Sequence, residues 1–283
     1  MKPPHPRPED QEKSLIPDQQ PIAPHFTVCL QMLTLAARYA RCFDVLDDRT
    51  LSSPTAGERI GQLLVTVESL AHDAAALSTA HRELPMSLID HRDLTVSSRI
   101  AQLQVVTSAA AEALAHAVEG FDATSAGAIE TRLTSVQAAR DLLATAASDL
   151  VGCAERVAAE MHRYRSSYSI PEVGAHVSLT AERLQVLRLV TAGAVSVDED
   201  GHTWVGMNKD AVRASVLRYL DQQGLITAEP SASWADEIRV ASTSMGRLVL
   251  AATLSRPERR EDDHQPAPTT APAVSSAPAR GAR

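Results

Sequence analysis

From Val28 to Tyr164 apolar residues recur at spacings of three and four, the interval that gathers them into one stripe along a helix. A first helix carries Val28, Met32, Leu35, Tyr39, Cys42 and Leu46. A second, capped near Ser53-Pro54-Thr55, carries Ile60, Leu63, Val67, Leu70, Ala74, Leu77, His81 and Leu84. A third runs from Thr95 to Gly120 through Ile100, Leu103, Thr107, Ala110, Leu114 and Ala117. A fourth, from Ser125 to Tyr164, carries Leu133, Val136, Arg140, Leu143, Ala147, Leu150, Ala154, Val157, Met161 and Tyr164. The connections at 47–57, 85–93 and 120–124 are short, so neighbouring helices are expected to run antiparallel. The pattern predicts an antiparallel, coiled-coil-like four-helix bundle over residues 25–168. The fourth helix outruns its partners near Val157, Met161 and Tyr164. A second copy of the chain, or the C-terminal region, is expected to cover that end.

Beyond a linker at 169–179 the pattern changes. Thr180-Ala181-Glu182-Arg183-Leu184-Gln185-Val186-Leu187 opens a helix. The segment from Val195 to Val205 alternates apolar residues around Asp200-Gly201, a hairpin signature that places Val197 opposite Trp204 and the indole against the first helix. Asn208 is expected to cap a helix over 208–223 with Asp210 in its first turn, and Gly224 to close it. A wing over 228–237, with Trp234 near its tip, leads into Ile238-Arg239-Val240-Ala241-Ser242, and Thr243-Ser244-Met245-Gly246-Arg247 starts a closing helix. This order resembles the winged-helix domains of bacterial regulators of the multiple-antibiotic-resistance type. In those domains a leucine-rich helix ends at a Gly-Leu-Ile/Val step, a wing follows, and a Thr-x-x-Gly-Arg stretch begins the last helix. The resemblance spans 180–255 and implies a winged helix associated with duplex DNA, with Asn208, Lys209, Arg213, Arg218 and Arg239 as the contacts. It departs from the family in placing a hairpin where a strand and bracing helix normally stand.

Composition sharpens the class. Apolar residues make up 44% of the 283 and aromatics only 3%, so the core is built from Ala, Leu and Val, which favours a mainly α protein. Prolines concentrate in residues 1–24 and 256–283, two tails too polar to offset their ordering entropy and expected to be disordered. The net charge is −8. Between 180 and 254 seven Arg/Lys (183, 188, 209, 213, 218, 239, 247) face nine Asp/Glu (182, 198, 199, 200, 210, 221, 229, 236, 237), so any DNA affinity rests on few cations. Cys29, Cys42 and Cys153 form no pair motif, and no signal segment or apolar run long enough to span a membrane is seen. A cytoplasmic location without membrane partners is expected.

Two carboxylate–imidazole pairs, Glu68/His72 and Glu112/His116, repeat at i, i+4 on separate helices. Both fall off the apolar seam and read as surface pairs rather than metal ligands. His81 lies on the seam, where one polar group sets register, and Arg140, also on the seam, is expected to snorkel or pair with a carboxylate. There is no Gly-x-Ser-x-Gly elbow, phosphate-binding Gly-rich loop or His-Glu-x-x-His. The expectation is a non-enzymatic chain without cofactor or metal. It acts as a DNA-associated regulator whose bundle mediates homodimerisation or binds a protein partner. The alternatives are a protein-interaction scaffold using an acidic winged helix and, third, a small-molecule sensor with its pocket in the bundle.

Overall fold

The computed structural model describes residues 22–53, 55–84, 93–119, 126–161, 177, 179–206, 208–209, 211–233 and 237–256. The chain is mainly helical, with one small antiparallel sheet near the C-terminus. Five helices form the helical body: α1 (Pro24–Leu46), α2 (Gly57–Arg82), α3 (Asp93–Glu119), α4 (Ala126–Leu143) and α5 (Ala146–Met161). α1 packs along α2 and α5, and α3 packs along α2 and α4. Pro24 starts α1, where its fixed φ and missing N–H do no harm. Most of α1 is buried, from Phe26 through Met32, Leu33, Ala36 and Tyr39 to Leu46, and only a narrow stripe through Thr27, Gln31, Thr34 and Arg41 is exposed. A buried polar link crosses this body: the Tyr39 hydroxyl donates to Thr107 Oγ1 at 2.7 Å, and Thr107 in turn donates to the Leu103 carbonyl.

The expected fourth helix over 125–164 is in fact two. α4 and α5 are separated by a turn at Ala144–Thr145. Neither Gly nor Pro stands there. Thr145 starts the new helix instead: its hydroxyl donates to Asp149 Oδ2 at 3.0 Å, while its carbonyl accepts from the Ser148 hydroxyl and the Asp149 amide. Arg99 of α3 pairs with the same Asp149, fixing the bend from outside. The break leaves α4 and α5 each touching both α1 and α3.

The C-terminal unit comprises α6 (Ala181–Thr191), β1 (Val195–Val197), β2 (Thr203–Val205), β3 (Asn208–Lys209), α7 (Ala214–Gln222), β4 (Ile226–Pro230), β5 (Ile238–Ser242) and α8 (Ser244–Leu254). The strand order is β3-β2-β1-β5-β4, all antiparallel. Thr180 caps α6 by accepting from the Arg183 amide, and Thr243 caps α8 by accepting from the Gly246 amide at 3.0 Å. The Thr243 amide and hydroxyl donate to the carbonyls of Leu225 and Gly224 respectively, stitching the start of α8 to the end of α7. Gly246 is dictated by that stitch, because a Cβ there would lie 2.0 Å from the Leu225 carbonyl oxygen. Gly193, at φ +72°, faces α1, where a Cβ would meet that of Ala40 at 2.5 Å.

Two local expectations are corrected. Val197 pairs with Thr203 and Ser196 with Trp204, so the hairpin is one residue out of the expected register and has no two-residue Asp200-Gly201 turn. The Asp198 side chain is the cause. It accepts from the His202 amide at 2.8 Å and from Trp204 Nε1 at 3.0 Å, closing a five-residue loop. A one-residue shift exchanges the two faces of a strand. Thr203 is therefore buried, while Trp204 is half-buried beneath Lys209 rather than against α6. The second correction concerns the helix expected over 208–223. Asn208 and Lys209 form strand β3, and the helix begins at Ala214 with Arg213 at its N-cap. The Thr203 hydroxyl donates to the carbonyl of buried Val212 and holds the connection down.

α8 packs on α1 and α5, and α6 touches both, so one continuous apolar core runs from Met32 and Val157 to Leu187 and Leu250. Arg188 of α6 meets Glu155 of α5 at 2.7 Å. The C-terminal unit thus covers the end of α5 where an exposed seam was anticipated. Most of the linker at 169–179, tail residues 1–21 and 257–283, Asp210, Trp234 and Tyr164 lie outside the described residues, whereas the end of the expected N-terminal tail is ordered, with Ala23 buried and Pro24 opening α1.

Candidate nucleic-acid interface

α7 is sharply two-faced. Val216, Leu217 and Leu220 are buried, whereas Ala214, Ser215, Arg218, Asp221 and Gln222 are exposed. It packs on α6 and β4. Arg213, at its start, is 77% exposed and only loosely paired, 3.5 Å from Glu182. Its side chain makes no capping bond, and its carbonyl accepts from the Val216 amide at 2.9 Å. Arg183 of α6 lies 3.5 Å from the centre of the Tyr219 ring, covering the seam between the two helices. Lys209 sits 5.8 Å above the Trp204 ring on the exposed edge strand.

Of the five expected contacts, Asn208 and Lys209 therefore stand on β3, and Arg213 and Arg218 on α7; all four are exposed. The helix expected over 208–223 would have set Lys209 and Arg213 one turn apart on it; instead Lys209 stands on β3 and Arg213 at the N-cap of α7. Arg239 is corrected outright as a surface contact, since it is 6% exposed. Its guanidinium lies beside Gly193, and burial holds its pKa below the ordinary arginine value, partly offset by the carboxylates of Asp44 and then Glu229. A cation so placed supports the junction with α1 and is withdrawn from any phosphate.

The described part of the segment expected as a wing, Glu229 and residues 231–233, contacts α1. Arg41 of α1 donates through Nε and Nη2 to the two oxygens of Glu229 on β4, at 3.2 and 2.6 Å. One turn later Asp44 accepts from the Ala232 amide at 2.9 Å and from the hydroxyls of Ser231 and Ser233 at 2.9 and 3.1 Å. The strand and the loop that would clamp a duplex backbone are thereby held on the helical body. No sequence signal marks Arg41 or Asp44, because their partners lie 187 to 189 residues away.

Other chemistry has a structural explanation. Glu68, His72, Glu112 and His116 are exposed. His81 is half-buried with Nδ1 3.4 Å from the Ser97 hydroxyl, and Arg140 pairs with Asp47 at 2.6 Å. Burial pushes the thiols of Cys29 and Cys42 up to about 12 and that of Cys153 to about 11, so none supplies a thiolate at neutral pH. Asp198, Asp200 and His202 bring ligand atoms within 4.8 Å of one another, yet Asp198 is already engaged in closing the hairpin. Among the described residues no helix is long and apolar enough to cross a membrane. Comparison of the chain with protein families, with curated proteins and with solved structures gives no match.

Proposed function

We propose that this chain is a non-enzymatic, DNA-associated regulator. In this reading α1–α5 form a four-helix bundle whose fourth rod is broken, the bundle serves assembly as a homodimer or with a protein partner, and residues 180–255 form a variant winged helix. α7 is the groove-facing helix. The observation that carries the reading is its outer face, where Arg213 at the start of α7, Ser215 and Arg218 are exposed, while Lys209 is exposed on β3. Donors at the outward N-terminal end of such a helix are the groups that address phosphates and base edges.

The binding mode differs from that of an ordinary winged helix, because the wing is tied to α1 and Arg239 is buried. Contact is confined to α7 and β3, with Glu182 and Asp221 subtracting from the attraction. Three cations facing phosphate give a salt dependence of log affinity with a slope near about −3, by the usual contribution of about −0.9 per contact. Titrating a fluorescent duplex at several salt concentrations tests this; binding that ignores salt refutes it. A second reading, a protein-interaction module, draws on the same inward-turned wing and on the excess of acids over bases in 180–254. It predicts that no duplex is bound at low salt.

A further inference from the structure

A groove of about 380 Å³ runs between α1 and α2, lined by Arg38 and Arg41 on one side and by Arg59, Gln62 and Thr66 on the other, over a floor that includes Leu63. The lining positions of each helix fall at i, i+3, i+4 and i+7, so one face of each helix meets the other. Among the described residues no carboxylate lines this groove, although each of its three arginines is ion-paired to a carboxylate just beyond it. A larger cavity near the ends of α1 and α4, about 850 Å³, is lined instead by Asp47, Asp48 and Asp141 as well as arginines and repels anions.

Each arginine has one carboxylate partner outside the groove, Asp73 for Arg38, Glu229 for Arg41 and Asp48 for Arg59, and Arg38 and Arg59 also donate to the hydroxyls of Ser69 and Thr50. A guanidinium carries five N–H donors in a fixed fork. Arg41 uses Nε and Nη2 on Glu229, which leaves its Nη1 without a hydrogen bond among the described residues. The side chains are 40–50% exposed, so an incoming anion reaches them without unfolding the helices. Gln62 and Thr66 add neutral polar groups at the far wall. This donor set suits a small molecule bearing phosphate or diphosphate, which accepts from several forks at once where a carboxylate satisfies one.

We propose that the α1–α2 groove binds a small phosphate-bearing molecule, and that its occupancy draws Arg41 from Glu229 and loosens the wing. Arg41 is the shared element: it lines the groove and, one turn before Asp44, holds β4. The binding half stands on the groove alone. Its regulatory meaning rests on the DNA-associated reading, for which a freed wing would add contacts to α7.

The test is calorimetric titration of the full chain with inorganic pyrophosphate, against sodium chloride of matched ionic strength. Saturable binding is expected, weakened about tenfold or more in Arg38→Gln and in Arg59→Gln, since each removes a charged donor. Melting curves without ligand identify any variant that has lost its fold. Glu229→Gln is expected to bind more tightly than wild type, because the competitor for Arg41 is weakened, and pyrophosphate is expected to speed hydrogen exchange at the Ala232 amide. No saturable heat up to about 10 mM, or equal affinity in wild type and both folded arginine variants, overturns the site. Unchanged affinity in Glu229→Gln overturns the coupling. Failure of the DNA titration leaves these heats untouched, so the two proposals fall separately.

Discussion

Arg41 and Glu229 lie 188 residues apart in sequence and meet in a two-pronged ion pair, with Asp44 fastening the following loop through three further hydrogen bonds. The pair itself is half exposed and worth about 1 kcal/mol or less. Asp44 matters more, because its carboxylate satisfies the backbone amide of Ala232 as well as two hydroxyls. Replacing Asp44 with Ala is expected to lower stability by about 1–3 kcal/mol. It should also raise hydrogen exchange at Ala232 well beyond the rise at Leu220 or Leu250. Unchanged protection at Ala232 would show that the loop is held by other means.

Gly246 is the tightest packing constraint in the C-terminal unit. Gly246→Ala forces α8 away from Leu225 and strains the Thr243 stitch, and a loss of more than about 2 kcal/mol is expected from such overpacking against backbone. Thermal melting of the full chain checks it. A melting temperature equal to wild type would mean that α8 docks differently.

The starts of α6 and α8 were legible in the sequence, and the reason is locality. Thr180 and Thr243 satisfy amides three residues ahead, so their caps are written in short motifs. The long 3-4 repeats likewise foretell helices because each stripe must face a core. The break at Ala144–Thr145 was not legible, since no Gly or Pro announces it and the bend depends on Arg99 from another helix. The hairpin was recognisable but its register was not: Asp198 competes with Asp200-Gly201 for the turn, and hydrogen bonds to its carboxylate decide. The burial of Arg239 and the hold of Arg41 and Asp44 on β4 and the loop after it depend on packing between distant segments, which periodicity cannot report.

Acid should weaken the molecule in two steps. Burial, and secondarily His81, holds the pKa of buried His25 below the usual histidine value, so the folded state keeps His25 neutral. The unfolded chain binds that proton near pH 6.5 and the folded chain only lower, so stability is full above about pH 6.5 and falls as pH drops through the folded value. Asp198 acts lower. The Trp204 indole, and then the His202 amide, hold its pKa below the usual carboxylate range. Its contribution is present above about pH 4 and lost as the carboxylate protonates. Urea midpoints of wild type and His25→Phe between pH 7.5 and 5 test the first step. A gap between the two proteins that does not narrow or reverse on acidification removes His25 from the account.

The three cysteines offer a simple check of the core. Cys29, Cys42 and Cys153 are buried in the helical body with raised pKa values. A thiol reagent at pH 8 is expected to label none of them within minutes in the native protein and all of them in denaturant. Rapid native labelling of Cys42, which borders the arginine groove, would show that α1 and α2 separate readily.

The central claim, that α7 addresses duplex DNA, is met most directly by fluorescence anisotropy at low salt, comparing wild type with the double change Arg213→Ala and Arg218→Ala. Both side chains are exposed and outside the core, so the variant should melt as wild type does. The account predicts binding by wild type at micromolar protein and a loss of about tenfold or more in the variant, the effect of removing two phosphate contacts. No binding by wild type, or equal binding by both proteins, would contradict it and leave the protein-interaction reading in its place.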